Sequence, residues 1–141
     1  MTHHALGSLA TAVTWIWLGM VLAISFLEAP LKFRAPGVDL RTGLVIGRLV
    51  FRALNAVEVV LALVLAVCLA AGGPGVATVA AALTAVAVLA AQLLVVRPGL
   101  NRRSEQVLAG REGPRSHAHV WYVGPELAKV AALVVTGIAL V

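Results

Sequence analysis

Apolar residues gather into four runs, roughly 8–29, 48–71, 76–96 and 120–141. Each matches the about 20 residues that an α-helix needs to cross a hydrocarbon core. Polar residues bunch between the first and second runs, and again between the third and fourth. Three boundaries have a local cause: Glu28-Ala29-Pro30, Gly72-Gly73-Pro74-Gly75 and Arg97-Pro98-Gly99. Proline lacks a backbone donor there, and glycine accepts a left-handed helix cap. Asp39 is a candidate N-cap that would start the second helix early, with Leu40, Leu44, Gly47 and Phe51 on one face of an extension. Residues 101–110 read as a short interfacial helix closed by Gly110. The expected fold is all-α: one domain, an up-down bundle of four transmembrane helices, with polar loops at 30–47 and 97–119.

Charge then orients that bundle. All eleven Lys and Arg residues lie in or beside two regions. Lys32, Arg34, Arg41, Arg48 and Arg52 surround the first polar stretch. Arg97, Arg102, Arg103, Arg111 and Arg115 fill the second, with Lys129 beyond it. In a four-span chain those two connections share a side, and the bias of cytoplasmic loops toward Lys and Arg puts that side in the cytoplasm. Both termini are then expected outside, in the cytoplasmic (inner) cell membrane. The first run has no basic segment before it and is long for a signal peptide, so it reads as an uncleaved anchor.

Composition fits a membrane chain and excludes a nucleic-acid binder. Of the 141 residues, 61% are hydrophobic and 12% charged. A soluble domain of this length carries about 25% charged residues. The net charge of +5 flanks apolar runs, so anionic lipid headgroups at the cytoplasmic face are the expected partners. Small residues at spacing four, Ala77, Ala81 and Ala85 on the third helix and Gly19 and Ala23 on the first, are candidate packing faces. They would serve the bundle itself, a homodimer or a larger membrane complex. The short Gly72–Gly75 turn is expected to force the second and third helices into antiparallel contact. Cys68, Trp15 and Trp17 read as packing residues, and Trp121 and Tyr122 as interfacial ones.

Ionisable groups inside a bilayer are costly, so each marks a candidate site. On the second helix, Arg48, Arg52 and Asn55 share a face, with Glu58 one step along its edge. On the fourth, His119, Tyr122, Glu126 and Lys129 recur at spacings of three, four and three. Glu28 closes the first helix and Gln92 lies near the end of the third. Glu28, Arg52, Gln92, Glu126 and Lys129 project to similar depth as one polar cluster, with Asn55 and Glu58 reaching deepest. Two uses fit: a structural network that fixes helix register, or a site for a small ion, a proton or a lipid-like ligand. Glu58 is expected to matter most.

Other chemistry finds little support. Metal sites want three or four converging ligands, whereas His3/His4 and His117/His119 fall on opposite sides of the expected topology. No metal and no cofactor is expected, and no phosphate-cradling loop, nucleophile elbow or paired cysteine points to an enzyme.

The run Phe26-Leu27-Glu28-Ala29-Pro30-Leu31-Lys32-Phe33, followed by Gly47-Arg48-Leu49-Val50-Phe51, resembles a loose pattern in uncharacterised bacterial four-helix membrane proteins. There the first helix ends in a small-residue–proline step and the second opens with a glycine–arginine–apolar–aromatic run. The polar stripe from His119 to Lys129 is also similar. The resemblance implies a four-helix membrane fold and no mechanism. The sequence ranks a small transport or ligand-binding protein first, a non-catalytic accessory subunit of a larger membrane complex second, and a lipid-modifying membrane enzyme third.

Overall fold

The computed structural model describes residues 2–109 and 118–141, without the side chains of 96, 103, 104, 107 and 118–122. It is all-helical, with no strand among the described residues. Four helices form the bundle: α1 (His3–Lys32), α2 (Leu40–Gly72), α3 (Val76–Ala91, extended through Gln92–Val96 and Arg97–Leu108) and α4 (Ala118–Leu140). Each holds a stretch long and apolar enough to cross a membrane, which makes this a multi-pass membrane protein. Burial agrees. Leu49, Val60, Leu63, Val67, Leu83, Leu94 and Ile138 face outward, while Glu58 and Lys129 are among the largest fully buried side chains. Lipid solvates the first group without cost, and only protein contacts satisfy the second.

The helices outrun the expected boundaries. Thr2 caps α1, its hydroxyl accepting from the Ala5 N–H at 3.2 Å. The helix therefore starts at His3 rather than residue 8, and it passes Pro30 to reach Lys32. The early start of α2 holds: Asp39 accepts from the Thr42 N–H at 2.8 Å. The first connection thus shrinks from 30–47 to 33–39. Of the face expected on that extension, Gly47 and Phe51 are buried, Leu44 is half-buried and Leu40 is exposed; Gly43 takes the inner position instead.

The Thr42 N–H, donated to Asp39, holds that carboxyl below its ordinary 3.8. A lowered carboxyl stabilises the helix start above its unfolded pKa, and the contribution fades as pH falls through the lower folded value. Hydrogen-exchange protection at Thr42 is expected to drop about five-fold in Asp39→Ala at neutral pH. In the native chain it is expected to drop only below pH 3.8. Equal protection in both chains at pH 7 would show that the cap contributes nothing.

The third helix corrects the expected stop at Arg97-Pro98-Gly99, and with it the separate interfacial helix at 101–110. A proline in an α-helix clashes with the carbonyl four residues back. Here α3 widens to π-helix over Gln92–Val96, and the Arg97 N–H bonds to the Gln92 carbonyl, five residues back. The carbonyl of Leu94 then lies in the widened turn, and the helix continues past Pro98. Helix α1 does the same ahead of Pro30, with π-helix over Leu22–Glu28 and the Ala29 N–H on the Ile24 carbonyl. Gly110, the expected closing residue, lies outside the described residues.

Packing also departs from expectation. Helix α1 packs on α2 and α4, and α3 packs on α4, while α2 and α3 touch sparingly despite their short Gly73–Gly75 connection. The seam between α2 and α3 instead holds two cavities of about 650 and 240 Å³. The inner face of α3 is Thr78, Ala82, Ala85 and Leu89, and Ala77 is exposed. Stepping back at helical period from the inward Gln92 reaches Leu89, Ala85 and Ala82 but passes by Ala77. Gly19 and Ala23 likewise face outward. Cys68 is a buried packing residue, as expected.

Among the described residues, basic side chains from both polar stretches meet at one end of the bundle. Arg41 donates to the Leu108 carbonyl at 3.3 Å, and Arg48 pairs with Glu105 at 3.2 Å. Lys32 and Arg97 lie over the Phe51 ring, at 5.7 and 4.7 Å from its centre. At the other end His3 Nδ1 lies 3.3 Å from the Gly72 carbonyl.

Candidate functional site

A polar cluster at the bundle centre takes side chains from all four helices. Lys129 on α4 is its hub. Its three ammonium hydrogens meet three acceptors: Glu58 Oε1 at 2.5 Å, Gln92 Oε1 at 2.7 Å and Glu126 Oε1 at 2.8 Å. Lys129 and Glu126 meet because residues three apart on a helix share a face. The Glu126 carboxylate also accepts from Gln92 Nε2 on α3, and its Oε2 accepts from Ser25 Oγ on α1 at 2.6 Å. Glu58 Oε1 accepts from Trp17 Nε1 on α1 at 2.9 Å. Trp17, Glu58 and Lys129 are fully buried, and Ser25, Gln92 and Glu126 nearly so.

The widened turns of α1 and α3 place two of these donors. Ser25 and Gln92 both lie in π-helical turns, and both bond Glu126. An extra residue per turn rotates the helix face about its axis, and such bulges recur at functional sites. Pro125 sits inside α4 immediately before Glu126. Prolines 30, 98 and 125 thus flank the cluster on three helices.

The cluster has a surplus of negative charge. Two carboxylates face one ammonium. Every polar atom of Glu126 is engaged, but Glu58 Oε2 is buried without a hydrogen-bond partner among the described residues. An unpartnered buried carboxylate oxygen is costly in a low-dielectric interior.

Of the residues singled out from sequence, Glu58, Gln92, Glu126 and Lys129 converge. Glu28 stands apart, 3.7 Å from Lys32. Arg48, Arg52 and Asn55 line the larger seam cavity rather than the cluster. His119 and Tyr122 lie on α4, but their side chains are outside the described residues, as are His117 and the side chain of Trp121. Trp17 and Ser25 were missed. Trp17 reads as a packing residue by sequence, yet an indole N–H deep in a membrane needs an acceptor, which is the available signal. No group of three or more metal-ligating side chains occurs among the described residues.

No family model matches the chain, nor does any curated protein or solved structure. The functional reading therefore rests on the geometry of this cluster and on the chemistry of its groups.

Proposed function

We propose that this chain is a small transport or binding protein of the cytoplasmic membrane whose buried cluster takes up one proton at Glu58. In this reading the four spans run up and down with both termini outside. The meeting of described basic side chains from both stretches at one end of the bundle supports that orientation. The observation that carries the proposal is the bare Oε2 of Glu58, buried in a cluster of two carboxylates and one ammonium. One added proton makes the cluster neutral. It would sit on the one carboxylate oxygen of the cluster that no described donor occupies. Asn55, one turn away on α2, lines the open seam cavity and offers a polar step between that cavity and Glu58.

Glu58→Gln tests this. The amide oxygen still accepts from Trp17 and Lys129, and the amide nitrogen replaces Oε2, so the fold is expected to persist. In vesicles carrying an internal pH dye and an imposed pH gradient, the native chain is expected to pass protons above the leak of empty vesicles. Glu58→Gln is expected to lower that flux at least ten-fold, about the effect of losing one essential proton carrier. A Glu58→Gln chain with native flux removes Glu58 from the pathway, and a native chain no leakier than empty vesicles ends the proposal.

A further inference from the structure

The larger seam cavity is a separate place from the cluster, and its walls divide into two kinds. Arg48, Arg52, Arg97, Asn55 and Asn101 supply donors, while Val45, Leu49, Val59 and Leu93 supply apolar surface. Charge is concentrated on one sign: among the described residues no acidic side chain lines this space of about 650 Å³. Arg48 is partly neutralised by Glu105. Arg52 is exposed, and among the described residues no carboxylate lies within ion-pairing distance of it.

Depth narrows the ligand. At 1.5 Å per residue, Arg52 lies about 30 Å along α2 from its Gly72 end, and Arg97 about 32 Å along α3 from its Val76 end. The hydrocarbon core is about 30 Å thick. With the Gly72 and Val76 ends at the opposite boundary of that core, both guanidinium groups fall near the level of lipid phosphates on the basic side, on the two helices that flank the open seam. The seam continues toward the other end as the smaller cavity of about 240 Å³, lined by Leu65, Leu69, Val79, Leu83 and other apolar residues. A guanidinium fork matches two oxygens of one phosphate.

We infer that Arg52 and Arg97 hold the phosphate oxyanion of an anionic phospholipid, whose acyl chain lies along the α2/α3 seam. Phosphate binding here requires no proton at Glu58, although the same cavity reaches Asn55. Inorganic phosphate offers the same oxyanion without the tail, so the test carries both.

The full chain is released from nanodiscs holding equal amounts of phosphatidylglycerol and phosphatidylcholine, and retained lipid is read by native mass spectrometry. The expected result is about a ten-fold preference for phosphatidylglycerol, because the choline ammonium of the zwitterionic lipid is repelled by the clustered guanidinium groups that hold the phosphate. Arg52→Gln is expected to bring the ratio near one without moving the thermal midpoint, because Arg52 is exposed. Arg34→Gln, an equal loss of charge in the 33–39 connection, is expected to leave the preference intact. If millimolar inorganic phosphate leaves the lipid bound, the lipid source stands. If phosphate displaces it, the oxyanion site stands but the lipid assignment falls. An Arg52→Gln chain with native preference, or a native chain without preference, overturns the site.

Discussion

Lys129→Met is expected to lower the folding stability of the detergent-solubilised chain by about 3–5 kcal/mol, the typical cost of removing one partner from a buried ion pair. Methionine nearly matches the volume of lysine, so packing is largely kept and the loss is electrostatic. Without the ammonium, Glu58 and Glu126 are two buried carboxylates with no cation between them, and Gln92 Oε1 loses its donor. The double variant Lys129→Met with Glu58→Gln removes one of those charges and is expected to regain about half of the loss. Thermal unfolding followed by the tryptophan signal gives both numbers, since Trp17 touches Glu58 directly. A Lys129→Met chain with the native midpoint would mean that the ammonium does not balance these carboxylates.

The existence of four spans was legible in the sequence because it follows from bulk hydropathy, to which each residue contributes additively. The helix ends were less so. Pro30 and Pro98 look like stops by local rules, and a widened turn upstream carries the helix through both. That compensation depends on partners distant in sequence: Ser25 and Gln92 are held in their π-helical turns facing Glu126, 101 and 34 residues away. The charged core of the site was visible too, since Glu58, Glu126 and Lys129 are conspicuous inside apolar runs. Their helix spacing alone gave Glu126–Lys129. The bond from Trp17 to Glu58 spans 41 residues and two helices, and no spacing rule reaches it. Arg52 and Asn55 were grouped with Glu58 by helix face, but α2 is wide enough to present Glu58 inward while Arg52 faces the seam. The small-residue stripes misled for a related reason. Alanine is common on every face of α3, so composition alone does not choose which face packs.

The cluster reads as two halves with different duties, and a pair of substitutions at Glu126 separates them. Glu126 joins α1, α3 and α4: Ser25, Gln92 and Lys129 all direct donors at it. Glu126→Leu strands those donors in an apolar interior at about 1–3 kcal/mol each, offset in part because Glu58 and Lys129 are then left as a balanced pair. A net loss of about 3–5 kcal/mol is expected. Glu126→Gln keeps an oxygen that accepts from Lys129 and Gln92, and its amide nitrogen donates to Ser25 Oγ where Oε2 accepted. It removes the charge at the cost of one reversed hydrogen bond, so its expected loss is below about 1.5 kcal/mol. That order assigns Glu126 to joining the helices by hydrogen bonds, a duty that Glu58, with its bare Oε2, does not share at that oxygen. Chemical unfolding of the two variants side by side measures the difference. Equal losses for Glu126→Gln and Glu126→Leu would show that the charge itself holds the bundle, and the division between the two carboxylates would be lost.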